Sequence, residues 1–175
     1  MVPLPAPAAE KMGDQEKKAF LPDWLKNFPF PPNEKRPVVL RDIDALRGTF
    51  GDDHRVGSDV FVSTDTILMG DFRVPPGEHF DPDIHGGIEV YYVESGSGVC
   101  LDPETGNGVA LSVGDVLIIP ERTWHQCFNF GDQVLRVLTL IVGNAWSDSD
   151  GMGTAVVYSG EAKYYMPGGR EEHAR

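Results

Sequence analysis

Between residues 60 and 158 the chain is cut every few residues by turn chemistry, and this punctuation restricts its fold more than any other feature. Apolar, strand-like runs occupy 60–63, 66–74, 88–93, 98–101, 109–112, 116–119, 124–128, 133–142 and 155–158. Between them stand Pro75-Pro76-Gly77, Glu94-Ser95-Gly96, the 102–107 segment, Val113-Gly114-Asp115, the 120–123 segment and Gly131-Asp132. Each separator carries Gly, Pro, Asn or Asp, the residues whose backbone or side chain favours reversal. No ten-residue amphipathic helix interrupts the series. Roughly nine short strands at this spacing predict an all-β sandwich or barrel. At 175 residues, one domain with a sizeable core is expected.

The flanks read differently. Residues 1–20, rich in Pro, Ala, Lys and Glu, predict a flexible tail. Residues 21–58 predict an irregular Pro-rich arm, because Phe28-Pro29-Phe30-Pro31-Pro32 cannot form a helix interior or a central strand. Within the arm a short strand is expected at 38–40 and a helical turn at 43–46. Trp24, Phe28 and Phe30 need burial, on the barrel or across a two-fold interface, and a homodimer is the expectation. The barrel is assigned to 59–160. The last residues, 161–175, form a C-terminal tail: 159–167 loses the pattern and covers one end, and 168–175 frays.

Charge excludes some functions. With 27 acidic against 15 basic residues the net charge is −12, which repels phosphate backbones and anionic lipid. Neither nucleic acid nor membrane is an expected partner. Cys100 and Cys127 are too few for a disulfide framework. No segment reaches the roughly 18 apolar residues of a membrane helix, and no signal peptide is read at the start, so a cytoplasmic protein is expected.

The chemistry gathers in Asp83-Ile84-His85-Gly86-Gly87-Ile88-Glu89 and, forty residues beyond His85, at His125. On an extended strand Asp83, His85 and Glu89 share one parity and face one way. Carboxylates and imidazoles turned to one face are ready metal ligands. These spacings resemble the two motifs of the cupin superfamily. The first motif is represented by Gly77, Asp83, His85, Glu89 and Gly96, the second by Gly114, Pro120, Arg122, His125 and Asn129. Eight of these ten positions match; Asp83 stands where the family has its first His, and Arg122 where it has a Gly.

The resemblance implies a double-stranded β-helix, the jelly-roll or cupin barrel, with one divalent metal ion (Fe, Mn or Zn) in its mouth. Its ligands are then His85, Glu89 and His125, with Asp83 either a fourth ligand or a group behind them. Two imidazoles and two carboxylates make a nearly neutral shell, suited to mild Lewis acidity; without Asp83 the remaining two-His, one-carboxylate face suits non-haem Fe(II). Tyr91, at the parity of Glu89, and His79, in the loop before the motif, are the candidates for moving a proton. Each also has a plainer reading, as strand filling and as a surface loop residue. Arg122, Trp124 and Cys127 are the candidate substrate contacts, read equally as a surface ion pair, a barrel-end plug and an inert core thiol. Asn129 is expected to hold a turn. The leading expectation is a metal-dependent enzyme acting on a small polar metabolite (a sugar, sugar acid or keto acid) as isomerase, lyase or decarboxylase. The alternatives are an Fe(II) dioxygenase and a non-catalytic small-molecule-binding barrel.

Overall fold

The computed structural model describes residues 28–29, 36–42, 45–50, 55–80, 82, 84–143, 163–166 and 170–173. Apart from a 3-10 turn at Asp42, all regular structure among them is β. The strands are β1 (Leu46–Phe50), β2 (Val56–Ser63), β3 (Ile67–Val74), β4 (Ile88–Ser95), β5 (Ser97–Leu101), β6 (Gly108–Ser112), β7 (Val116–Ile119), β8 (Gln126–Phe128), β9 (Leu135–Val142), β10 (Lys163–Met166) and β11 (Arg170–His173). They pair antiparallel in two sheets. One has eight strands in the order β11-β10-β1-β2-β3-β9-β4-β7, the other three in the order β6-β5-β8. Among the described residues no helix is long and apolar enough to cross a membrane.

Alternation along the strands builds the core. On β4, Glu89, Tyr91 and Val93 are buried, and on β9 so are Leu135, Val137, Thr139 and Ile141. The two rows lie side by side, Tyr91 opposite Thr139 and Glu89 opposite Ile141. Phe72 stands edge-on to Phe80 and Tyr91, with ring centroids 5.4 and 5.0 Å away. Gly96 alone joins β4 to β5, at φ +72°, where a Cβ would sit 2.5 Å from the Val134 carbonyl oxygen. Only glycine fits that reversal. The outer face of β2, β3 and β9 carries two buried carboxylates, Asp59 and Asp71. Arg73 reaches Asp59 at 2.8 Å, and Arg136 grips Asp71 through Nε and Nη2 at 3.0 and 2.6 Å.

Seven of the expected central strands appear with shifts of a few residues at their ends, and β7 falls where expected. The run at 155–158 lies outside the described residues, as do Trp24 and Phe30. Three expectations for the flanks are corrected. Val38–Leu40 is no strand: Val39 is 79% exposed, and no strand among the described residues pairs with it. The turn expected at 43–46 ends earlier: the Ala45 N–H donates to the Asp42 carbonyl at 3.2 Å, residues 43–44 lie outside the described residues, and Leu46 is already the first residue of β1, fully buried and paired with Val60. Residues 163–166 and 170–173 pair antiparallel with each other and extend the sheet from β1. Its outer strand, Arg170-Glu171-Glu172-His173, is charged, as suits a sheet edge, and that charge conceals the strand in sequence.

Candidate metal site

His85 lies just before β4, Glu89 on its second residue, and His125 just before β8; all three are buried. The expected parity does not extend through His85. Gly86-Gly87 bends the chain, with Gly87 at φ +78° and a Cβ there only 2.8 Å from the Val142 carbonyl oxygen. The bend still delivers His85 to the inward row. On the opposite side, the Arg122 N–H donates to the His85 carbonyl at 2.9 Å, tying the loop that carries His125 to the segment that carries His85.

Both imidazole Nε2 atoms lie close to one oxygen, Glu89 Oε2, at 3.0 Å (His85) and 2.9 Å (His125). One ligand atom from each residue lies within 4.8 Å of the others. The far sides of both rings are fixed: His85 Nδ1 is 2.9 Å from the Gly86 carbonyl oxygen, and His125 Nδ1 is 2.9 Å from that of Thr123. A carbonyl only accepts, so each Nδ1 carries its proton and donates it. A neutral ring then turns an Nε2 lone pair toward the carboxylate. Burial raises the Glu89 carboxyl; what holds it below the usual carboxylate range is positive charge on its His125 and His85 side, which a bound cation supplies when the rings are neutral. Two lone pairs and an ionised oxygen converging in a buried space repel one another unless a cation sits among them. The donor set therefore fits a divalent metal, the His tautomers being those a metal requires.

Sequence reasoning passed over Thr139. Its hydroxyl donates to Glu89 Oε1 at 2.5 Å, leaving Oε2 to the imidazoles. The signal was readable: among the inward residues of β9 it is the one polar side chain.

The other candidates are placed as follows. Asp83 lies outside the described residues. Tyr91 packs in the core with its ring 6.2 Å from that of His125. His79 is not brought to the cluster. Phe80, its neighbour, turns inward toward His125, while the His79 ring lies 5.0 Å from Phe128 with Nδ1 3.2 Å from Gln126 Nε2. Trp124 is half-buried beside His125. Cys127 is fully buried opposite Cys100 on β5, and a hydrogen bond shared with Cys100, together with burial, pushes its thiol well above the usual range. Asn129, as expected, holds a turn: its Nδ2 donates to the Val74 and Gln133 carbonyls at 2.8 and 2.7 Å.

Arg122 has an exposed side chain and a left-handed backbone, φ +59°, the one positive φ outside glycine among the described residues. That conformation costs a residue with a Cβ about 1–2 kcal/mol. Arg122→Gly is expected to raise stability by about 0.5–1 kcal/mol in urea unfolding, the larger chain entropy of glycine offsetting part of the relief. Arg122→Ala keeps the strain and should not. A loss of stability in the glycine variant would mean that the arginine side chain contributes more than its backbone costs.

Comparison with known proteins agrees with this arrangement. The family model described as "Cupin domain" matches residues 70–141. No curated protein sequence matches the chain. Among solved structures, a predicted oxalate decarboxylase from Thermotoga maritima is similar at 26% identity and TM-score 0.50, over 60% of this chain and 98% of that one. The polyketide cyclase RemF from Streptomyces resistomycificus is similar at 19% identity and TM-score 0.52, over 66% and 89%. An uncharacterized conserved protein with a double-stranded beta-helix domain from Klebsiella pneumoniae gives 16% and 0.52, over 63% and 90%. The last two likenesses concern the fold, and they bear out the double-stranded β-helix.

Proposed function

We propose that this chain, whose residues 70–141 match the cupin-domain family model, is a metal-dependent enzyme for a small polar metabolite, such as a sugar, sugar acid or keto acid. One observation carries the reading: two tautomer-locked imidazoles and an ionised carboxylate bring their ligand atoms within 4.8 Å of one another in a buried space. His85, Glu89 and His125 would hold the ion, with Asp83 proposed as a fourth ligand. A divalent Fe, Mn or Zn bound there supplies Lewis acidity toward a substrate oxygen on which negative charge develops, as in isomerisation, elimination or decarboxylation.

The protein's own groups divide the remaining work. Thr139 holds Glu89 by one oxygen so that the other faces the imidazoles. The carbonyls of Gly86 and Thr123 keep both rings turned and deny them the wrong tautomer. Arg122, on the loop bonded to His85, is proposed to hold a substrate carboxylate in its guanidinium fork. Tyr91, on the inward row with Glu89, is proposed to donate a proton. The two-His, one-carboxylate set also favours a second reading, an Fe(II) dioxygenase.

The test is elemental analysis of the purified wild type and of His125→Ala. About one equivalent of Fe, Mn or Zn in the wild type and near-complete loss in the variant is the expected result. Fe directs the next assay to oxygen consumption; Mn or Zn directs it to isomerase and lyase reactions. A wild type that holds no divalent metal, even after reconstitution, overturns both readings.

A further inference from the structure

The chain has two cysteines, and the chemistry proposed above uses neither. The fold sets them face to face. Cys100 on β5 and Cys127 on β8 are direct partners in an antiparallel pair, with Val99 opposite Phe128 and Leu101 opposite Gln126 on either side. That register keeps both thiols on the core side of the three-stranded sheet, in the cluster that includes Tyr91 and Ile119. Both are free and buried, and the Cys127 S–H donates to the Cys100 sulfur. Residues directly opposite in such a pair have Cα atoms about 4.5–5.5 Å apart, within the roughly 4.4–6.8 Å that a disulfide spans. Their Cβ atoms are also about 4.5–5.5 Å apart, slightly wider than a disulfide holds them. The bond therefore forms as the strands draw together, and a dithiol reopens it readily.

We propose that Cys100 and Cys127 form a redox-active dithiol, which a hydroperoxide closes to a disulfide between β5 and β8. The asymmetry of the pair sets the order of events. The hydrogen bond from Cys127 favours the Cys100 thiolate, with burial opposing it, and Cys100 is the less buried, 6% exposed against 0%. The Cys100 sulfur attacks one peroxide oxygen, the O–O bond breaks, and the other oxygen leaves as water, giving a sulfenic acid. The Cys127 sulfur then attacks the Cys100 sulfur, the S–O bond breaks, and a second water leaves with the Cys127 proton. One peroxide is reduced to two waters while each thiol loses one electron and one proton. Access comes from β8, which is three residues long and ends its sheet, so it opens at lower cost than a central strand. Closure ties β8 to β5 two residues beyond His125. The reaction needs no metal at that cluster, so it stands or falls separately from the proposed function.

The test is hydrogen peroxide treatment of the reduced full chain with a chelator present, followed by thiol counting in denaturant and mass mapping of peptides. The wild type should go from two thiols to none, lose two hydrogens in mass, and carry a Cys100–Cys127 link within a single chain. Dithiothreitol should restore both thiols. Cys100→Ala should slow oxidation of the remaining thiol at least about 10-fold. Cys127→Ala should react at close to the wild-type rate and stop at a Cys100 sulfenic acid, which dimedone traps. Circular dichroism qualifies both variants, and the wild-type map alone decides if either fails to fold. Thiols that survive peroxide in the folded wild type, a link between chains instead of within one, or sulfinic acid without a cross-link would each overturn the proposal.

Discussion

Asn129→Ala should destabilise the fold by about 3 kcal/mol, the largest effect expected from a side chain outside the metal cluster. Asn129 is fully buried. Its amide nitrogen serves the carbonyls of Val74 and Gln133 at 2.8 and 2.7 Å, and its Oδ1 receives the Gly131 N–H at 2.9 Å. Its backbone also bonds with Gly77 and Glu78, at 2.8 and 2.9 Å. One residue thus joins the end of β3, the segment leading to His79 and the turn before β9. Truncation removes three hydrogen bonds and strands their backbone partners, each loss costing about 1–3 kcal/mol where water cannot enter and less where it can. Asn129→Asp should be at least as harmful, since a carboxylate cannot serve two carbonyls and would be a buried charge. Urea unfolding with an unchanged slope checks both. A loss below about 1 kcal/mol would mean that solvent takes over the three contacts on substitution.

This contrast between a turn-holding Asn and a His of the buried cluster four residues earlier was legible in the sequence, because the motif's fixed spacing separates the two. So was the convergence of His85, Glu89 and His125. The details were less so, for physical reasons. Parity predicted that His85 and Glu89 face one way on a strand; they meet instead across a bend at Gly86-Gly87, whose φ no periodicity reports. Thr139 reads as an ordinary β-former until its partner strand is known, since its role depends on lying next to Glu89 across β4 and β9. β1 escaped notice because Leu46-Arg47-Gly48-Thr49-Phe50 lacks clean alternation and takes its order from pairing with β2 and β10. Such non-local pairing is invisible to local pattern. The strain at Arg122 was foreshadowed only by the glycine that related motifs carry there.

Glu89→Gln is expected to move stability and metal binding in opposite directions. In the protein without metal, Glu89 Oε2 faces two imidazole nitrogens that have already committed their Nδ1 protons to Gly86 and Thr123. A glutamine of the same shape resolves the conflict. Its amide nitrogen has one hydrogen for each ring, at positions now 3.0 and 2.9 Å from Oε2, and its oxygen can keep the Thr139 hydroxyl. The buried charge disappears as well, so the metal-free variant should melt at or above the wild type. Metal binding should collapse by more than about 100-fold, because the site loses its anionic ligand and its lone pairs become occupied by the amide. Metal at about 100 times its dissociation constant stabilises a folded site by about 2.7 kcal/mol, and that increment should vanish in the variant. Thermal melts of both proteins with and without Zn(II) or Mn(II), alongside calorimetric titration, read the two signs separately. If Glu89→Gln instead lowered the metal-free melting point and left the metal increment intact, the three residues would be a structural polar network held together by a ring proton. The chemistry would then have to be sought elsewhere in the barrel.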